Sequence, residues 1–321
     1  MDYIHYQNQP VLRSPVLVAA FGGWNDAADS ATTAIKFLID RWKPIKLAEI
    51  EIEDFYVFTE ARPTVKFTDG IQRTINWPGS QFYSYQMPQL SYDVMLYLGV
   101  EPQLKWKTFS KCFLEVCRKF GVTEVVLLGA LLADVPHSIS VPMTGTSSNI
   151  EMNERLKEMA IHNSRYEGPT GMIGVLQDAF QRAAIPAASL WAAAPHYLAA
   201  TPNIKVTSAL LTYLNTFMSF DLDLSDIQAD ALRFEEQITT LVARDPEASE
   251  YVRKLEEQIT GSLHSNDEDE DDEEEPFFNP DRVVGTGPLP SADTLIRGVE
   301  ELLRKQRENN PPVNNDDEDA E

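Results

Sequence analysis

Three stretches of this chain bring together residue types that chemistry uses. In the first, Gly22-Gly23-Trp24-Asn25-Asp26-Ala27-Ala28-Asp29 follows the apolar run Val16 to Phe21. Paired glycines expose backbone amides, Asn25 supplies a neutral polar contact, and Asn25 or Asp26 can accept from the free amides of a helix that starts here. The block lacks the third glycine of a dinucleotide fingerprint and the lysine of a phosphate-binding loop, and Asp26 and Asp29 oppose phosphate. It reads either as a packed, capped turn or as a ligand or catalytic site in the crevice beyond a strand's carboxyl end.

The second stretch, Gly168 to Gly174, places amides at a helix start, where an anion can be received, with Glu167 acting against it. Its other reading is a turn that lets helices approach closely at Gly171 and Gly174. The third is Trp191 followed by Pro195, His196 and Tyr197. His196 can exchange protons near neutral pH, or it can serve as a hydrogen-bonding residue of the fold. It has no HxxxH or cysteine partner nearby, so no metal is expected, and no cofactor motif is present. An enzyme built from these stretches would draw on Asn25, Asp26 and His196 in one pocket.

Other clusters are weaker. Ser138, Ser140, Thr144, Thr146, Ser147 and Ser148 crowd one loop with His137, but there is no GxSxG elbow and no third group for a triad. Glu49, Glu51 and Glu53 alternate with apolar residues and share one strand face, as an exposed strand end, a partner contact or a carboxylate pair. Cys112 and Cys117 lie in a helical pattern among Phe109, Phe113 and Val116 and are expected to be buried as small hydrophobes.

The elements that must position these residues alternate. Strands are predicted at Val16 to Phe21, Leu47 to Ile52, Asp93 to Leu98, Val125 to Leu131 and Ala188 to Ala194. Helical stripes run through Ala27, Ala31, Ile35 and Leu38; through Trp106, Phe109, Phe113, Val116 and Phe120; and through Met172, Leu176, Phe180 and Ala183. Further helices are expected from about Ile150 to Met159 and from Pro202-Asn203 through Phe217. Thr64 to Trp77 reads as a hairpin turning at Asp69-Gly70 and bordering the sheet, and Asp134 to Ser148 reads as a loop. The pattern specifies an α/β chain with a mixed or mainly parallel sheet between helices. Beyond Leu224 the apolar period is helical only, and Asp245-Pro246 begins the second arm of a helical hairpin.

The 321 residues carry a formal charge of −23, a surplus that disfavours nucleic acid and anionic membranes as partners. Asp267 to Glu275 contributes nine acids and the last six residues contribute five, which leaves −9 for the rest. No signal peptide or membrane span is read, and the expected compartment is the cytoplasm. The expected organisation is a core over 1–223, a helical hairpin over 224–263, an acidic disordered linker over 264–284, a terminal helix region over 285–307 and a disordered acidic tail over 308–321.

The glycine block at 22–27, the Gly168 to Gly174 turn, and Ile185-Pro186-Ala187 leading into Ser189-Leu190-Trp191-Ala192-Ala193-Ala194-Pro195-His196-Tyr197 together resemble the prokaryotic PAC2 family, relatives of proteasome assembly chaperone 2. The resemblance spans about Val11 to Asn215, and the helical hairpin with a late helix is similar to the longer bacterial branch. It implies a three-layer α/β/α sandwich similar to the phosphorylase and hydrolase group, and a homo-oligomer, with a trimer as one form. It brings no accepted active site. It implies a non-enzymatic assembly-chaperone-like or scaffold protein with a protein client. A small-molecule hydrolase or phosphorylase-like enzyme and a small-molecule-responsive binding module are the alternatives, with Gly22, Gly23, Trp24, Asn25, Asp26, Gly168, Gly171, Trp191 and His196 as candidate ligand residues. Family chaperones engage proteasome pockets through a C-terminal hydrophobic-tyrosine-any-residue motif, whereas this sequence ends Asp319-Ala320-Glu321.

Overall fold

A computed structural model describes residues 3–68, 72–164, 166–199 and 202–265. The Asp69-Gly70 turn, most of the acidic linker, the terminal helix region and the acidic tail lie outside the described residues. The strands are β1 (Ile4–Tyr6), β2 (Val16–Gly22), β3 (Ile45–Ile50), β4 (Thr64–Thr68), β5 (Gln72–Asn76), β6 (Ser80–Tyr85), β7 (Val94–Val100), β8 (Glu124–Ala133), β9 (Met143–Ser147), β10 (His162–Asn163) and β11 (Ala187–Pro195). The helices are α1 (Ser30–Trp42), α2 (Trp106–Phe120), α3 (Ile150–Glu158), α4 (Met172–Arg182), α5 (Ile204–Met218), α6 (Ser225–Val242) and α7 (Pro246–Ser265).

Nine strands form one mixed sheet in the order β1-β3-β6-β7-β2-β8-β11-β9-β10. Its centre, β7-β2-β8-β11, is parallel, and these strands are nearly continuous apolar runs because both faces are covered. Along β2 the alternation is visible residue by residue. Val16, Val18 and Ala20 enter one core with Ile35 and Leu38 of α1 and Leu210 and Leu214 of α5. Leu17, Ala19 and Phe21 enter the other, with Phe109 and Phe113 of α2 and Leu176 and Phe180 of α4. The chain is thus a central sheet flanked by helices, followed by a C-terminal helical region.

Helix ends follow local chemistry. Asn149 and Asn203 accept from the amides of Met152 and Val206 at the starts of α3 and α5. Gly121, at φ +72°, closes α2 in the left-handed conformation. Cys112 and Cys117 of α2 are free thiols buried in the core, and burial pushes the Cys117 thiol up.

Three expectations need correction. The Thr64–Trp77 hairpin forms as β4 and β5, but as a separate two-stranded sheet rather than a border of the main one. The segment read as a loop between Asp134 and Ser148 contains β9, which pairs antiparallel with β11. Its Met-Thr-Gly-Thr-Ser composition is too polar and short to announce a strand. Ala27 precedes α1 in a short 3-10 turn, because Ala28 and Asp29 both adopt left-handed backbone at φ 51° and break the helical continuity.

Candidate functional site

The carboxyl ends of β2, β8 and β11 open into a cleft of about 650 Å³. Its geometry is set by a residue the sequence patterns left unmarked. Glu101 follows β7, and its Oε1 accepts from Asn25 Nδ2 at 2.6 Å and from the first amide of α4, Met172 N, at 2.6 Å. One carboxylate oxygen therefore ties the glycine block after β2 to the start of α4. Gly171 lies at this junction. A Cβ there would sit 2.4 Å from both side-chain polar atoms of Asn25 and 2.6 Å from Glu101 Oε1, so any side chain at this position forces the bonded Asn25–Glu101 pair to shift. The backbone of Asn25 is fixed as well, since its carbonyl accepts from Ala130 N of β8 at 2.9 Å.

Aromatic and hydroxyl groups line the rest. Trp191 lies beside Gly129 in the parallel β8–β11 register, and a Cβ on Gly129 would come within 2.5 Å of the indole. Trp24 is 62% exposed at the cleft. Gln177 of α4 donates through Nε2 to the carbonyl and the hydroxyl of Thr146, both at 2.9 Å. Thr144 and Thr146, which the sequence suggested only as loop hydroxyls, line this cleft from β9. Among the described lining residues none is an acid, lysine, arginine or histidine.

Of the residues singled out by sequence, Gly23, Trp24, Asn25, Gly171 and Trp191 meet at this cleft. Gly22 ends β2, and Gly168 lies against Tyr166 in the preceding turn. Neither is among the lining. Asp26 faces away as a helix cap. Its carboxylate accepts from Ala31 N at 2.6 Å, Thr32 N at 3.2 Å and the Thr32 hydroxyl at 2.5 Å. Burial pushes its pKa up to about 6 although all three bonds favour the ionised form.

Neither His196 nor Asp26 is among the residues that line the cleft, so of the expected trio Asn25, Asp26 and His196 only Asn25 is there. His196 Nδ1 lies 3.1 Å from Asp134 Oδ1, and its Nε2 lies 2.9 Å from the Tyr251 hydroxyl of α7. A carboxylate only accepts, so Nδ1 carries a proton, and in the neutral ring Nε2 accepts from the Tyr251 hydroxyl. His137 is held similarly. Tyr197 Oη accepts from His137 N at 2.7 Å and lies 2.9 Å from Nδ1, while Nε2 lies 3.1 Å from Thr239 Oγ1 of α6. Burial, reinforced by Lys205, holds the His137 pKa below the usual imidazole value. Lys205 itself bonds the carbonyls of His137 and Ile139 and pairs with Glu235 at 2.6 Å. These contacts fasten α6 and α7 onto the loop after β8.

Glu101 and Gly129 were missed by sequence reading for a physical reason. Glu101 acts on Asn25 across 76 residues of chain, and Gly129 sits inside an apolar strand whose pattern conceals the indole above it. Among the described residues no group of three or more His, Cys, Asp or Glu side chains can hold a metal ion. No described helix is long and apolar enough to cross a membrane.

Comparison with known proteins places this architecture. A PAC2 family protein from Streptomyces avermitilis is 40% identical, covering 74% of this chain and 99% of its own, with a TM-score of 0.66. The Mycobacterium tuberculosis proteasome-assembly chaperone homologue is also 40% identical over 74% of this chain and 99% of its own, with a TM-score of 0.67. At 15% identity, the Pyrococcus furiosus archaeal proteasome activator PbaB shares the fold, with a TM-score of 0.60 over 74% of this chain and 97% of its own. Among curated proteins there is no match. The PAC2 family pattern matches residues 20–242, which contain the glycine block, every residue lining the cleft and helices α1 to α6, and the chain belongs to the PAC2 family.

Proposed function

We propose that this protein is a non-enzymatic, assembly-chaperone-like or scaffold protein that acts on a protein client as a closed homo-oligomer in the cytoplasm. The observation that carries this reading is the 40% identity, over 74% of the chain, to the mycobacterial proteasome-assembly chaperone homologue. In this reading the unit over 1–223 is a three-layer sandwich of the phosphorylase and hydrolase kind, and the hairpin over 224–263 is an addition to it.

An exposed surface supports self-association. The β4–β5 arm stands as its own two-stranded sheet, a unit that is marginal alone in water. Its register pairs Val65 with Ile75 and Phe67 with Arg73, so these four share one face, and Val65, Phe67 and Ile75 are 48%, 64% and 60% exposed. A closed assembly would cover such patches reciprocally without endless growth.

Native affinity purification followed by mass spectrometry, with light scattering over a concentration series, tests both parts. A stoichiometric protein partner and a defined oligomer that dissociates in the Phe67→Ser, Ile75→Ser variant are the expected results. A monomer throughout the micromolar range overturns the oligomer, and the absence of any stoichiometric partner overturns the client.

A further inference from the structure

We propose that the cleft at the ends of β2, β8 and β11 binds an uncharged, planar ring compound that carries an N–H or O–H donor. Nothing in the assembly reading requires such a site, and the two stand or fall separately.

Asn25 provides the first argument. It is 1% exposed and lines the cleft, yet its Oδ1 has no hydrogen-bond partner among the described residues. Leaving a buried polar atom unpaired is unfavourable by about 1–3 kcal/mol. Amide reversal cannot relieve it. The Glu101 carboxylate only accepts, so the NH2 group of Asn25 must face Glu101 and the carbonyl oxygen must face the other way. The unpaired atom is therefore an acceptor, itself covered at the cleft wall, and a ligand donor that displaces that cover satisfies it.

The walls define the rest of the ligand. Trp191 and Trp24 present indoles, and the space of about 650 Å³ lies within the usual range for small-molecule sites. Gly129 gives the Trp191 ring the room it occupies. Thr144, Thr146 and Gln177 add neutral polar groups. No lining residue among those described carries a formal charge, which leaves an ionic ligand group without a counter-charge. An anion is disfavoured further, because Glu101 already occupies the first amide of α4. The helix start that the glycine turn suggested as an anion site is thus held by the protein's own carboxylate.

Three probes built on one ring system separate these requirements: indole, N-methylindole and indole-2-carboxylate. Ligand-observed NMR titrations on the full-length protein are expected to show saturable binding of indole. N-methylindole, which lacks the donor, and indole-2-carboxylate, which adds a charge, should each bind at least about tenfold more weakly. Trp24→Ala and Ala199→Trp change exposed positions on the lining, so folding is preserved while the first removes a wall and the second fills the space. Each should lower indole affinity at least about fivefold, with an unchanged thermal transition as the control. No saturable indole binding at millimolar concentration, equal affinity for the three probes, or affinities untouched by both substitutions would each overturn the proposal.

Discussion

Two regions meet at the carboxyl ends of β8 and β11 and use their polar residues in opposite ways. On one side, Leu131 and Leu132 of β8 line the open cleft. On the other, Ala133 and Pro195 lead into His137 and His196, whose ring nitrogens all have partners on the protein. The histidine side holds the reactive residue types and is the more fully bonded; Tyr197, Tyr251, Thr239 and Lys205 consume its hydrogen-bonding capacity. The cleft side holds a plain amide with one oxygen unpaired. A proton-exchanging side chain is therefore weaker evidence of a ligand site than an unsatisfied one, because folding can use histidine as a fastener.

The largest test of this contrast acts on the cleft's framework. Gly171→Ala places a methyl group 2.4 Å from Asn25 and 2.6 Å from Glu101 Oε1. Gly171 itself has φ −95°, a value open to any residue, so the penalty is steric and electrostatic. Expected destabilisation is about 3 kcal/mol, the upper end for overpacking, measured by urea unfolding. Adding Asn25→Gly removes two of the three clashing atoms and should recover a large part of the loss. Strictly additive penalties in that double variant would show that the three residues do not act as one joint.

Asp26 makes the cleft region's stability depend on pH. Its native pKa, about 6, lies above the ordinary 3.8, so the folded state binds the proton more tightly than the unfolded state does. The resulting stability is fully present below about pH 4 and is lost as pH rises through about 6. The shift corresponds to an effect on the order of 3 kcal/mol. Unfolding free energies of the wild type should therefore fall, relative to those of Asp26→Asn, between pH 4 and 6, and run parallel to them above about pH 7. Parallel curves across the whole range would contradict the shift. The site would then be a cap with no desolvation penalty, and the contrast with the fully satisfied histidine cluster would narrow.

The histidine side has its own test, of intermediate size. Tyr197→Phe leaves the buried amide and Nδ1 of His137 without their shared partner. A loss of about 2 kcal/mol is expected from two buried groups that lose their shared partner. Because the network fastens α6 to the loop after β8, hydrogen exchange in α6 and α7 should accelerate more than in β2 or β8. Uniform acceleration would mean that the helical hairpin is part of one cooperative unit with the sheet.

The sequence made the local half of this arrangement readable. Apolar runs marked β2, β8 and β11, helical periodicity marked α1, α2, α4 and α5, and the position of Asp26 announced a cap that it does form. Five of the nine residues marked for a site converge on the cleft. What escaped is contact between distant segments. Nothing near Glu101 says that it will bond Asn25, and nothing near His196 says that Tyr251, 55 residues on, will take its Nε2. A turn glycine such as Gly171 was visible as a turn, but its purpose depends on two side chains from elsewhere in the fold. The β4–β5 arm illustrates the same limit from the other side: its hairpin pattern is local and correct, while its separation from the main sheet is a tertiary fact.

The smallest effects come from a matched pair of substitutions, one in each region. Trp24→Ala truncates a side chain that is 62% exposed, so stability should change by less than about 0.5 kcal/mol. Tyr251→Phe removes the hydrogen bond between the hydroxyl and His196 Nε2, and a loss of about 1 kcal/mol is expected. The two should separate completely in a second measurement. If the cleft takes a ring compound, Trp24→Ala lowers indole affinity and Tyr251→Phe leaves it unchanged, since Tyr251 is not part of the lining. Loss of indole binding in Tyr251→Phe would instead couple the two regions, with strands β8 and β11 as the shared element carrying the change from the α7 contact to the Trp191 wall.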